Sequence, residues 1–239
     1  MSMMKQLPYK WIAGITPCPK GWLIIPARLA GVTVVVEDCM VVRSLIEVVD
    51  FRPKFDAAAI NIPMGFPDLP LAYGDCEEQA KDMVGWPRRI AVRRIPSRAT
   101  LRTTTKSEAR VLEPWLTADD FRRFRWLREA EQTFQPFHQR NFFSANPELS
   151  YTLLNEDRPL LTSPFHQDGV IERMGLIRNK LPGVDEIILR TPPPGAGQYH
   201  IVQAAGLLWT ARRAIGRAIN RLPVDPSWDE NGLRVELVR

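Results

Sequence analysis

Residues 11–63 read WIAGITPCPKGWLIIPARLAGVTVVVEDCMVVRSLIEVVDFRPKFDAAAINIP, and the punctuation of this stretch decides the fold class. Trp11 to Ile15, Gly21 to Ala27 and Val32 to Glu37 are short runs rich in Val and Ile, parted by Pro and Gly. That is the composition of consecutive strands joined by tight turns, and it predicts an antiparallel meander. From Met40 to Val49 the apolar residues Val41, Val42, Leu45, Ile46 and Val49 share one helical face, so a helix is expected there. Phe55 to Ile62 then reads as a buried strand, stopped by Pro63. The order is β-β-β-α-β, the opening of an α/β protein.

Downstream, Asp75 to Val84 has acids early and Gly85 behind it, the marks of a helix and its stop. Trp86 to Thr105 follows neither period and predicts an extended basic loop. Thr117 with Asp120 forms a capping box for a helix running to Thr133, with Phe121, Phe124 and Leu127 inward and Arg122, Arg123, Arg125 and Arg128 forming either a solvated face or an interaction surface. Asn141 to Ala145 reads as a strand. Pro147 to Asn155 and Gly169 to Lys180 read as helices. Thr191 to Gln198 is a Pro/Gly connector into the strongest helix, His200 to Arg221, whose Ala204, Leu207, Leu208, Ala211 and Ile215 face inward.

The chain has 239 residues, enough for one large α/β domain, and a single domain over 1–239 is the simplest organisation. Its 45% hydrophobic and 25% charged residues exclude general disorder. No run approaches twenty uninterrupted apolar residues, and the start MSMMKQLPYKWIAGI has no small-residue cleavage site behind an apolar stretch, so no membrane association and a cytoplasmic location are expected. Cys18, Cys39 and Cys76 are too far apart for a zinc knuckle and odd in number, which favours packing roles. His138, His166 and His200 lack ligand spacing, and phosphate-cradling glycine loops and a serine elbow are absent.

The formal charge is +5, and its distribution matters more than its size. Between Arg88 and Lys106 every charged residue is basic. Arg88, Arg89, Arg93, Arg94 and Arg98 are the candidates there for binding phosphate.

Three segments together resemble the family called domain of unknown function 429, predicted nucleases of the ribonuclease H-like superfamily. Gly14-Ile-Thr-Pro-Cys-Pro-Lys-Gly-Trp22 is similar to that family's Gly-Val-Asp-Gly-Cys-Pro-Gly-Gly-Trp. Ala59-Ile-Asn-Ile-Pro-Met-Gly-Phe-Pro-Asp68 is similar to its Ile-Asp-Ile-Pro-Ile-Gly-Leu-Pro-Asp. The close, Ala205 to Arg239, keeps the family's order through Leu208-Trp-Thr-Ala-Arg-Arg213 and Asp229-Glu-Asn-Gly-Leu-Arg-Val-Glu236. The resemblance runs collinearly over nearly the whole chain. It implies a ribonuclease H-like mixed central sheet flanked by helices, with a helical and loop insertion and a site at the strand ends.

It also implies two-metal-ion chemistry, in which carboxylates on the first strand, a neighbouring strand and a late helix hold two divalent ions. Hard cations need anionic oxygens. In this chain the first-strand Asp of the family is matched by Thr16 and the fourth-strand Asp by Asn61. The His of its His-Pro-Glu motif is matched by Asn146. The acids at the start of its last helix fall on Tyr199, His200 and Gln203. Glu148 and Asp68 remain ionisable and are the candidate catalytic residues. No cofactor is expected.

Two readings follow. In the first, the chain is a degenerate nuclease homologue that binds nucleic acid, DNA or RNA, or a protein partner, with an exposed tryptophan among Trp86, Trp115, Trp126 and Trp228 as an anchor. In the second, it is an active nuclease using Mg²⁺ or Mn²⁺ on relocated ligands drawn from Glu148, Asp68, Asp75, Glu77 and Glu172.

Overall fold

A computed structural model describes residues 9–70 and 75–239. The opening residues read above for a leader lie mostly outside it. The elements in chain order are β1 Lys10–Cys18, β2 Gly21–Ala30, β3 Thr33–Val36, β4 Met40–Val42, α1 Leu45–Val49, β5 Ala57–Ile60, α2 Asp75–Val84, α3 Arg98–Leu101, α4 Lys106–Leu112, α5 Ala118–Arg122, α6 Phe124–Thr133, β6 Phe142–Ser144, α7 Pro147–Leu154, α8 Gln167–Ile177, α9 Val184–Leu189, α10 Gln198–Ile215, β7 Arg221–Trp228 and β8 Arg234–Val238. Short 3₁₀ turns lie at Arg88–Ala91 and Pro136–Arg140.

The central sheet has the order β3-β2-β1-β5-β6. β2 is antiparallel to β1 and β3, whereas β1, β5 and β6 run parallel. This is the mixed α/β sheet of the ribonuclease H-like fold class, with helices on both faces. Alternation along the strands explains the two layers. Ala13, Ile15, Ile24, Ala58 and Ile60 point to one side, against Leu45, Val48, Phe124 and Leu127. Ile12, Leu23, Ile25, Ala57 and Ala59 point to the other, against Ile201, Ala204, Ala205 and Leu208 of α10.

α10 lies unusually close to the sheet because β1 has a glycine under it. A methyl group on Gly14 would overlap the Ala204 carbonyl oxygen and the Leu208 amide. That close approach fixes the height of the middle of α10 above the centre of β1.

Several expected boundaries move. The helix expected over 40–49 is divided: Met40–Val42 adds a short strand to Trp22–Ile24, the part of β2 that β3 does not reach, and only Leu45–Val49 is helical. β-branched Val41 and Val42 suit the strand, and Ser44 with Glu47 caps the helix behind it. The single helix expected over 117–133 breaks at Arg123, whose amide bonds to the Asp120 carbonyl in a tight i→i−3 turn. The strongest helix stops at Ile215 rather than Arg221. Arg217 takes a left-handed conformation (φ 54°), with Arg217 N donating to Ala214 O and Ala218 N to Arg213 O, the two bonds of a Schellman motif. The segment expected as an extended loop over 86–105 contains α3, which Ser97 caps through the Thr100 amide. The β7–β8 hairpin is a further element, and Val238 bridges Ala145 beyond the end of β6. Among the described residues no helix is long and apolar enough to cross a membrane.

Candidate functional site

Parallel strands deliver their C-terminal ends to one rim of the sheet, and side chains there can converge on a ligand. β1 places Thr16 on this rim, the residue after β5 is Asn61, and the two residues after β6 are Ala145 and Asn146. The second turn of α10 adds Gln203. These groups meet. Asn61 Nδ2 donates to Thr16 Oγ1 at 3.3 Å, and Thr16 Oγ1 donates to Gln203 Oε1 at 3.1 Å. Three positions far apart in sequence thus form one neutral hydrogen-bonded chain.

Asn61 and Gln203 open onto a cavity of about 410 Å³, walled also by Glu77, Arg88, Arg93, Arg94, Arg123, Asn146, Glu148 and Phe165. The segment 88–95 covers it. Asn146 caps α7, its Oδ1 accepting from the Glu148 and Leu149 amides at 2.9 and 3.3 Å, while its Nδ2 donates to Ala91 O at 3.2 Å. One asparagine therefore starts a helix and anchors the basic segment over the strand ends.

Glu148 lies on the wall but is 3% exposed, and its oxygens are taken. Arg173 donates from Nε to Oε1 at 3.2 Å and from Nη2 to Oε2 at 2.6 Å, and Arg88 Nε donates to Oε2 at 3.3 Å. The paired fork of Arg173 compensates a charge that would be costly to bury alone. Glu77, the other acid on the wall, accepts from the Ile95 amide at 2.7 Å and from Cys76 Sγ at 2.9 Å. Burial raises its pKa against those hydrogen bonds.

The remaining candidate acids are elsewhere. Asp68, a candidate catalytic residue, is outside the wall: it accepts from the Glu230 amide at 3.2 Å and lies 3.8 Å from Arg98 Nε. Glu172 is engaged by Thr162 and Arg173, and Asp75 is exposed at the start of α2.

A divalent pair does not fit these donors. Thr16, Asn61 and Gln203 present neutral oxygens, and both wall carboxylates already serve buried donors. Among the described residues no group of three or more His, Cys, Asp or Glu is arranged to hold a metal ion.

The five candidate phosphate-binding arginines divide. Arg93 and Arg94 stand on the wall at 43% and 36% side-chain exposure, with long ion pairs to Asp120 (3.5 Å) and Glu78 (3.7 Å). Arg89 is exposed beside Asp82. Arg88 is on the wall but bound to Glu148. Arg98 is removed from any phosphate surface: it is 3% exposed and donates to Asp229 at 2.7 Å and Glu131 at 2.6 Å, because a guanidinium taken out of water needs carboxylates around it. It clamps α3 to α6 and to the β7–β8 turn. Trp86 and Trp228 are exposed, whereas Trp115 and Trp126 pack on the core.

The residue missed in sequence is Arg123. Counted above among the helical arginines of a solvated or interaction face, it occupies the break between α5 and α6 and turns to the cavity. Burial lowers its pKa to about 10, helped by the like charge of Arg93 and opposed by Asp120, so it remains cationic at neutral pH. The capping box at Thr117 and Asp120 marks only the start of α5, and no breaker residue in the sequence announces the stop at Arg123.

His200 lies in the first turn of α10, three residues before Gln203. It is 4% exposed, stacks on Tyr199 with centroids 3.7 Å apart, and accepts the Gly197 amide proton on Nδ1 at 2.8 Å. Burial pushes its pKa from 6.5 down to about 4, only partly opposed by the Gly197 contact. A depressed imidazole contributes stability that is complete above the unfolded value and is lost as pH falls toward the folded one. Between pH 6.5 and about 4 we expect a decline of up to about 3 kcal/mol from this group. Glu77, with its raised pKa, acts in the opposite sense. Urea midpoints across that range for the parent and His200→Gln isolate the histidine: the variant should be flatter on the acid side, and parallel curves would contradict the assignment.

The model of the family described as protein of unknown function (DUF429) matches residues 14–227. The chain belongs to DUF429. No curated protein and no solved structure matches this DUF429 chain. The match begins at Gly14 on β1 and ends within β7, so it encloses Thr16, Asn61, Glu148 and Gln203.

Proposed function

We propose that this DUF429 protein is a ribonuclease H-like chain that binds nucleic acid at the rim of its sheet and does not cut it by two-metal chemistry. The observation that carries this reading is the Asn61–Thr16–Gln203 chain: three converging side chains, all neutral, at the strand and helix ends where the resemblance calls for carboxylates. Without a cluster of negative charge, phosphate can approach arginines directly, with no bridging cation. Arg89, Arg93 and Arg94 supply exposed positive charge beside the cavity.

The relocated-ligand nuclease has no comparable support. Glu148, which it needs most, already holds two guanidinium groups, and Asp68, Asp75 and Glu172 are off the cavity wall.

The test is binding of a labelled single-stranded oligonucleotide at a series of salt concentrations. For Arg89→Gln/Arg93→Gln we expect weaker binding and a log–log salt slope reduced by about 1.4, since each lost phosphate contact removes about 0.7 on a single strand. An unchanged affinity and slope, or Mg²⁺-dependent cleavage by the parent, would refute the proposal.

A further inference from the structure

The arginines of this protein follow a rule with one exception on the cavity wall. Arg88, Arg98 and Arg173 are buried, and each lies against a carboxylate. Arg123 is part-buried on the wall, yet among the described residues no carboxylate lies within ion-pair distance of it. Its near neighbour Arg93 carries the same charge, and the Asp120 that pairs with Arg93 at 3.5 Å is itself engaged by the Thr117 amide and hydroxyl. Two guanidinium groups in one cavity repel each other. An anion between them reverses the sign of that interaction, and a dianionic monoester suits two forks better than a singly charged diester.

A second feature stands at the mouth. Phe165 is 64% exposed although it lines the cavity, and its ring packs on Tyr199 with centroids 4.6 Å apart. An exposed aromatic ring held by a second ring beneath it is a stacking platform for a base, independent of base identity. The volume, about 410 Å³, is that of a small-ligand site.

We infer that the cavity is a socket for one phosphorylated nucleotide, its phosphate monoester between Arg93 and Arg123 and its base on Phe165. This rests on the nucleic-acid reading only for the source of the ligand. The same group exists on a free mononucleotide and at the phosphorylated end of a strand.

Binding to the full chain is measured by anisotropy with labelled single-stranded oligonucleotides bearing a 5′-phosphate, a 3′-phosphate or hydroxyls at both ends, and by calorimetry with AMP, adenosine and inorganic phosphate. One phosphorylated end should bind about tenfold tighter than the unphosphorylated strand. AMP should bind and adenosine should not. Arg123→Gln should abolish the preference and Arg123→Lys should keep part of it, with thermal melting of both variants showing that they fold. Phe165→Ala should weaken AMP severalfold and leave inorganic phosphate unchanged.

Equal affinity for all three oligonucleotides in the parent protein overturns the socket while leaving strand binding intact. AMP bound without any oligonucleotide supports the socket and removes the nucleic-acid reading. A preference that survives in folded Arg123→Gln overturns the assignment.

Discussion

Arg173→Met is expected to destabilise the protein by about 3–5 kcal/mol, the cost of leaving a buried charge without its partner. Arg173 is wholly buried, and it satisfies both oxygens of Glu148 while Nη1 and Nη2 also donate to the Gly169 and Thr162 carbonyls at 2.9 and 3.1 Å. Methionine fills much of the volume but offers no donor. Among the described residues the only other cation on Glu148 is Arg88, through one bond of 3.3 Å. Urea denaturation measures the loss. The double variant Arg173→Met/Glu148→Met should recover only part of it: an apolar pair replaces the Arg173 ion pair at little net cost, but buried Arg88 loses its carboxylate. A single variant within about 1 kcal/mol of the parent would show that Glu148 is neutral or solvated, contrary to its burial. The consequence reaches the site: Glu148 holds Arg88, and with it the segment that covers the cavity, so ligand affinity should fall more in the double variant, which removes the partner of Arg88, than in Arg173→Met.

The parts of the fold that were legible in the sequence are those governed by local pattern. The Val- and Ile-rich runs parted by Pro and Gly in residues 11–37 placed β1 to β3, and the acids ahead of Gly85 placed α2. The parts that were hidden depend on partners distant in the chain. β7 carries Pro223 and Pro226, which argue against a strand, and it exists because β8 pairs with it at Arg221–Leu222 and again at Ser227–Trp228, with both prolines in the irregular stretch between. α10 ends on a left-handed Arg217, where a sequence reading waits for glycine. In the site, convergence of Thr16, Asn61 and Gln203 followed from the resemblance, because topology brings strand ends to one rim whatever residues stand there. Charge pairing did not follow. Arg98 and Arg123 look alike in sequence, one in a basic run and one in a helical face. Asp229, 131 residues away, encloses the first, and among the described residues no carboxylate stands at ion-pair distance from the second.

Restoring the carboxylates should restore a metal site. In Thr16→Asp/Asn61→Asp/Gln203→Glu, three acids replace three groups now joined by bonds of 3.1 and 3.3 Å. Like charges at that spacing disfavour one another, so without metal the variant should be less stable than the parent at pH 7 and should regain stability as the pH is lowered and one carboxyl is protonated. Added Mn²⁺ at a hundredfold excess over its dissociation constant contributes about 2.7 kcal/mol, which for a chain of this size is roughly 5–10 °C in melting temperature. The parent should shift by less than about 1 °C under the same conditions. The two halves of the result test different things. A shift in the variant alone means that backbone positions suited to divalent ions persist and that neutral side chains have withdrawn the charge. A shift in the parent as well would place a metal on ligands other than these three and remove the basis for a non-cleaving protein. No shift in either would mean that the rim differs in geometry as well as in charge. Binding through Arg93 and Arg123 would then stand apart from any ancestral metal centre.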